Sequence, residues 1–189
     1  ELCGPYVDGF VINVSSPNTP NLRELQKDED LARIISEVKR YSASKPVLVK
    51  IAPDLEDVVI KSIVDTSIEL GCAGIVATNT TVDRPDDSSI MSEKGGLSGK
   101  PLNKRSTEII RLIADHTDGK WPIIGVGGIS NSEDAWEKIS NGASLIQIYS
   151  SMVFNGASVV KEIVNGLERK LKSKGMTDLR QAVGCSRRE

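Results

Sequence analysis

The chain is poor in the residues that usually build metal centres. It has one histidine, His116, and three cysteines, Cys3, Cys72 and Cys185, among 189 residues. The cysteines lie far apart and form no metal-ligand spacing. An odd count without spacing fits free thiols in a reducing compartment. His116 falls at the end of a surface-type helical pattern, beside Asp115 and ahead of the Gly119 stop, and reads as a helix-terminal residue rather than a catalytic group. No apolar run approaches the roughly 20 residues of a membrane-spanning helix, and no stretch reads as a signal peptide. The net charge of −2 points neither to nucleic acid nor to a basic membrane surface. No linker or low-complexity segment interrupts the chain. With 39% hydrophobic residues, the expectation is one domain or a large part of one. The sequence starts at Glu1 and reaches a strand pattern almost at once, as a piece of something longer would.

What is present is a regular alternation. Val7–Val14, Pro46–Ile51, Ala73–Thr78, Trp121–Gly125 and Ala143–Tyr149 are β-branched and almost continuously apolar, as strands covered on both faces are. Between them, Leu31, Ile34, Ile35 and Val38 fall on one helical face. So do Val59, Ile63 and Ile68 with Val64 nearby. Ile109, Ile110, Leu112 and Ile113 mark a third helix, Ala135, Trp136 and Ile139 a fourth, and Val159 to Leu171 a fifth. Asp54 and either Ser130 or Ser132 suit N-caps, and Ser130 with Glu133 has capping-box spacing. Gly71, Gly119 and Gly142 stand where helices should stop. Strands alternating with helices predict a parallel sheet with right-handed crossovers.

The first strand lacks a following glycine-rich turn, which argues against a dinucleotide fold. Polar residues instead recur at successive strand ends: Asn13, Lys50, Thr78-Asn79-Thr80, Gly127-Gly128 and Tyr149-Ser150. In a (β/α)8 barrel such ends converge on the catalytic mouth. The prediction is therefore α/β, a parallel TIM barrel represented by about its last five βα units. About three strands would be missing from the front.

Several segments carry chemistry. Lys50 shares its strand face with Leu48 and Ala52; a buried ammonium needs an anion, either a carboxylate or a ligand that gains negative charge. "IIGVGGIS" follows a strand and opens a helix, so its amides suit a phosphate at the helix N-terminus, although any tight turn also wants glycine. Tyr149, Ser150 and Ser151 would add donors. Thr78, Asn79 and Thr80 offer donors and acceptors for a planar ligand, or close a strand with an Asx turn. "GGLSGKPL" allows a close backbone approach to a bound ring, or a mobile surface loop. It lies in the longest connection, Thr81–Lys104. Ser15-Ser16-Pro17-Asn18-Thr19 suits a turn before proline; a catalytic hydroxyl there would need a neighbour or water to relay its proton.

Six segments in order, "NVSSPNTPNLRELQ", "VKIAPDL", "ATNTTVDRP", "GGLSGKPL", "IIGVGGI" and "GASLIQIYS", resemble the dihydroorotate dehydrogenases over nearly the whole chain. Ser16, where class 1 members carry cysteine, resembles the quinone-linked class 2. The tail "TDLRQAVGCSRRE" is similar to eukaryotic, mitochondrial members. The resemblance implies oxidation of dihydroorotate to orotate in pyrimidine (UMP) biosynthesis, with FMN as hydride acceptor and ubiquinone as final acceptor, at the mitochondrial inner membrane. It implies Ser16 as catalytic base, with Thr19 in its proton path. Asn13, Asn18, Asn79 and Thr80 would bind substrate. Asn13, Lys50, Thr78, Ser98 and Gly99 would contact FMN, and Gly127, Gly128, Tyr149 and Ser150 would grip its phosphate.

The family also has an N-terminal helical segment and first barrel strands that this sequence does not show. The expectation is that residues 1–189 are the C-terminal part of one FMN-binding barrel domain, unable to complete its site alone. Two alternatives stay open. One is a catalytically silent fragment that self-associates through exposed strand edges. The other is a different FMN-dependent barrel oxidoreductase, of class 1 dihydroorotate or dihydropyrimidine type.

Overall fold

The computed structural model describes residues 2–26, 28–42, 44–84 and 94–187. Five strands form one sheet in the order β1-β2-β3-β4-β5, every neighbour parallel: β1 (Phe10–Asn13), β2 (Val47–Ile51), β3 (Gly74–Ala77), β4 (Ile123–Val126) and β5 (Leu145–Gln147). The connecting helices are α1 (Asp28–Tyr41), α2 (Asp57–Glu69), α3 (Asn103–His116) and α4 (Ser132–Ser140); β5 leads to α5 (Ser150–Asn155), α6 (Ser158–Ser173) and α7 (Leu179–Ala182). This is the predicted run of five βα units.

The sheet has two different faces. Val47, Val49, Ile51, Ile75, Ala77 and Ile123 point to the helices and are buried with Leu31, Ile35, Ile60, Ile63, Ile109 and Ile113. A second apolar cluster joins Ala135, Trp136 and Ile139 of α4 to Val159, Ile163 and Leu167 of α6. The opposite face carries Asn13, Lys50, Val76, Ile124 and Leu145 in one register row. Lys50 is half-buried, and Leu145 is 61% exposed. Coverage on both faces, expected for all five strands, holds fully only for β3, whose four residues are all buried. β1 and β5 have one neighbour each, which leaves one side without a ladder. They run for four and three residues, short of the predicted Val7–Val14 and Ala143–Tyr149.

Local signals need correction at three points. Asp54 does not cap α2. The N-cap position is Glu56, with no side-chain cap bond, and Asp54 is held elsewhere. Neither Ser130 nor Ser132 caps α4. Asn131 does, accepting from the Asp134 amide, while the Asp134 carboxylate accepts from both Nα and Oγ of Ser130. The buried stripe of α2 is Ile60, Ile63, Val64 and Ser67, and Ile68 is 42% exposed. The helix stops are as predicted. Gly71, Gly119 and Gly142 have φ of +70°, +69° and +127°, a region that L side chains avoid. In the long connection after Thr81, residues 85–93 lie outside the described residues. Its described end returns as a bridge pairing Leu97 with Thr81.

Candidate active site

The carboxyl ends of the strands open onto a cavity of about 920 Å³. Its wall includes Lys50 of β2, and Thr78, Asn79 and Thr80 after β3. It also takes in Ser98 and Gly99 from the returning loop, Gly127 and Gly128 after β4, and Tyr149 and Ser150 at the start of α5. These ten residues, all singled out from the sequence, share one wall with Ser151. Asn13, Ser16 and Asn18 are not part of it; Asn13 ends β1, and Ser16 and Asn18 stand on the adjoining loop after it.

That loop is joined to the wall by hydrogen bonds. Ser15 Oγ donates to Asn13 Oδ1 at 3.0 Å. Asn79 Nδ2 donates to Asn13 Oδ1 at 3.1 Å and to Ser15 Oγ at 3.0 Å. Asn79 Oδ1 in turn accepts from the Thr80 amide at 2.8 Å. The amides of two strand ends thus hold each other in fixed orientations, as recognition of a planar amide-and-carboxylate ligand requires. Ser16 Oγ accepts from the Asn18 amide at 3.2 Å. This is the turn that composition predicts, and it leaves the hydroxyl half-exposed with its own proton undirected by that bond. The turn and the catalytic reading of Ser16 are therefore compatible.

Lys50 sits beside Asn13 in register. No carboxylate among the described residues answers it, and burial pushes its ammonium below the ordinary lysine range. The salt-bridge alternative is absent among those residues, and the charge is left facing the cavity.

The far end of the wall is built from glycine and hydroxyls. Gly127 and Gly128 have φ of +126° and +68°. A Cβ on Gly128 would lie 2.5–2.6 Å from Asn103 N, Cα and Cβ, so the turn packs directly on the start of α3. Asn103 Nδ2 and Ser106 Oγ donate to the Gly128 and Gly127 carbonyls at 2.9 and 3.1 Å. The Ser98 and Ser150 hydroxyls are 2.8 Å apart, which joins the returning loop to α5. Ser151 Oγ is buried on this wall without a hydrogen-bond partner among the described residues. The sequence places a phosphate at the turn that opens α4; there the Asp134 carboxylate accepts from the Ser130 amide and Asn131 Oδ1 from the Asp134 amide, so these two donors are taken. The anion-suited donors are instead those of Gly127–Gly128 and Tyr149–Ser151.

"GGLSGKPL" approaches protein before it approaches any ligand. A Cβ on Gly96 would fall 1.9 Å from Thr80 Oγ1 and 2.9 Å from Pro17 Cγ. The loop therefore closes over both the Ser16 segment and Thr80. His116 pairs with Asp65 on the helical layer at 2.7 Å, as a helix-terminal residue. The sequence reading missed Arg23, although it lies inside the first quoted motif. A lone arginine in a loop carries no periodic or spacing signal.

Five parallel strands with a cavity at their carboxyl ends, lined by the residues above, define part of an α/β barrel of the enzyme type. Comparison with known proteins makes this specific. The family model described as dihydroorotate dehydrogenase matches residues 1–171. "Dihydroorotate dehydrogenase (quinone)" of Trichodesmium erythraeum is 51% identical, over 97% of this chain and 50% of its own length. The protein of that name from Natronomonas pharaonis is 47% identical, over 94% of this chain and 50% of its own length. The crystal structure of the Eimeria tenella dihydroorotate dehydrogenase in complex with ferulenol superposes with a TM-score of 0.91 at 34% identity, covering 98% of this chain and 56% of that one. The chain belongs to the dihydroorotate dehydrogenase family. It spans about half the length of the curated relatives it matches.

Proposed function

We propose that the protein carrying this chain oxidises dihydroorotate to orotate with FMN as hydride acceptor and passes the electrons to ubiquinone. The observation that carries this reading is the joining of two half-sites. A phosphate-suited end, Gly127–Gly128 with Ser98 and Ser150, shares one cavity with an amide-rich end, Asn79 and Thr80, which is bonded to Asn13 beside Ser16. The residues present fit FMN. The buried unpartnered Ser151 hydroxyl, the paired Ser98 and Ser150 hydroxyls and the glycine turn make an anion end. Lys50 supplies an unanswered cation beside Asn13.

FMN, when bound, supplies a two-electron acceptor. The chain's own residues do the rest. Dihydroorotate must lose a proton from C5 and a hydride from C6. Ser16 Oγ takes the C5 proton and releases its own to solvent or towards Thr19. Asn13, Asn18, Asn79 and Thr80 hold the substrate's carboxylate and ring amides. Lys50, with Asn13 and Thr78, offsets the negative charge that builds up beside the flavin-binding wall. Gly127, Gly128, Tyr149 and Ser150 would hold the FMN phosphate, and Ser98 and Gly99 would line its ring.

Residues 1–189 are, in this reading, part of a single FMN-binding barrel, the site being completed by residues beyond this chain. The quinone acceptor follows the name of the relatives and the serine at position 16. A mitochondrial inner-membrane setting rests on the C-terminal tail alone, and the bacterial relatives lend it no support. No described helix is long and apolar enough to cross a membrane. The β1 and β5 edges, with Val11 47% and Leu145 61% exposed, favour self-association when the chain is alone.

The test is turnover by the complete FMN-loaded protein, with orotate measured against three acceptors. Ubiquinone supporting turnover while fumarate and NAD do not is the expected result. Orotate formed only with fumarate or NAD would replace the class 2 reading with class 1.

A further inference from the structure

Arg23 belongs to a short 3-10 turn, Leu22–Gln26, between β1 and α1. Its side chain leaves that turn and binds three separate loops. Nε donates to the Ser15 carbonyl at 3.0 Å, Nη2 donates to the Thr80 carbonyl at 2.9 Å, and Nη1 pairs with Asp54 Oδ2 at 2.6 Å. Both partners of the ion pair are largely shielded, with side-chain exposures of 23% and 16%. Asp54, which follows β2, uses its other contacts on the loop after β3. It accepts from the Thr81 hydroxyl and from the Val82 amide at 3.3 Å. Gln26 anchors the turn itself, donating to the Arg23 carbonyl and accepting from the Ala52 amide, each at 3.2 Å.

The atoms held are telling. The Ser15 carbonyl belongs to the peptide that leads into Ser16. The Thr80 carbonyl belongs to the residue that, with Asn79, faces the cavity. A planar guanidinium fixes both in one fork, which the single ammonium of a lysine cannot do. Neither Arg23 nor Asp54 lines the cavity.

We propose that the Arg23–Asp54 pair is a positioning device that sets the candidate base Ser16 against the Asn79–Thr80 substrate wall. This rests on the reading of the site given above. Arg23 and Asp54 act through the backbone, not on the substrate.

The test uses the complete FMN-loaded protein with R23K and D54N, each measured in three ways. Hydrogen exchange reads the amides of residues 15–19 and 80–82 without substrate. FMN affinity reads the far end of the cavity. Anaerobic flavin reduction is followed with unlabelled, C5-deuterated and C6-deuterated dihydroorotate. The expected result is at least tenfold faster exchange confined to those two segments, and FMN affinity within threefold of wild type. The limiting reduction rate falls at least tenfold, with a larger C5 isotope effect and an unchanged C6 effect. A merely structural role would raise exchange throughout and would not separate the two isotope effects. Variants that fold, retain FMN and keep wild-type exchange in both segments overturn the proposal; so does a reduction rate within twofold of wild type. Should R23K fail to fold, D54N decides, since it leaves Arg23 with both carbonyl acceptors and removes the charge, together with one acceptor oxygen, that orients the fork. A wild-type protein that dihydroorotate does not reduce would overturn the functional reading, while the exchange data would still decide whether the pair holds the two loops.

Discussion

Lys138 lies in α4 with no exposed surface, and its ammonium donates to the Asn103 carbonyl and the Thr107 hydroxyl at the start of α3. No carboxylate among the described residues pairs with it. Burial lowers its pKa from 10.5 to about 8, only partly countered by the charges of Glu137 and Asp134. That difference corresponds to about 3 kcal/mol of disfavour for the charged form in the folded protein. The sign follows from proton binding. Below pH 8 both folded and unfolded chains hold the proton, and the full cost is felt. Between about 8 and 10.5 the folded chain has released a proton that the unfolded chain still binds, so stability rises with pH. K138M removes the titration. It also leaves the Asn103 and Thr107 oxygens without this donor, a cost of about 1–3 kcal/mol that does not vary with pH. Equilibrium urea unfolding of both proteins, repeated from pH 7 to pH 10, isolates the difference, because Lys50 and Cys72 titrate in both. Wild-type stability should gain about 2–3 kcal/mol on K138M over that range. A difference that stays flat, or moves the other way, would refute the account of Lys138 as a buried cation at the start of α3.

Other outcomes follow from the same geometry. In G128A the new Cβ meets the Asn103 backbone at 2.6 Å in a positive-φ turn, so FMN affinity should fall at least tenfold by fluorescence titration. In G96A the methyl collides with Thr80 and Pro17; overpacking of about 1–3 kcal/mol predicts a roughly ten- to hundredfold loss of orotate affinity, read from the flavin absorbance shift, with FMN retained. The isolated chain should sediment as a species heavier than its 20.4 kDa, and a clean monomer would show that the β1 and β5 edges are protected without a partner.

Much of this site is legible in the sequence, for physical reasons. Polar residues at the ends of apolar strands are costly to place there by chance, so Asn13, Lys50, Asn79 and Gly127 stand out and share one sheet end. Strand lengths are less legible. Pairing, not composition, ends β1 at Asn13 and β5 at Gln147. The caps mislead because Asp54 and Ser130 have the chemistry of N-caps but are claimed by other partners, Asp54 by the distant Arg23 and Ser130 by Asp134 four residues on. Arg23 itself is invisible to periodicity, since its meaning lies in three loops that come together only on folding. The short helix α5 is not visible beyond the strand end Tyr149-Ser150-Ser151, because "YSSMVFN" is too short to show a helical repeat.

The most direct test of the central claim is anaerobic mixing of the complete, FMN-loaded protein with dihydroorotate, wild type beside Ser16→Ala, while the flavin absorbance is followed. The account predicts rapid bleaching with formation of orotate in the wild type. In the variant it predicts a rate lower by orders of magnitude, with FMN still bound. A wild-type flavin that dihydroorotate leaves oxidised, or a Ser16→Ala protein that bleaches as fast as wild type, would contradict it.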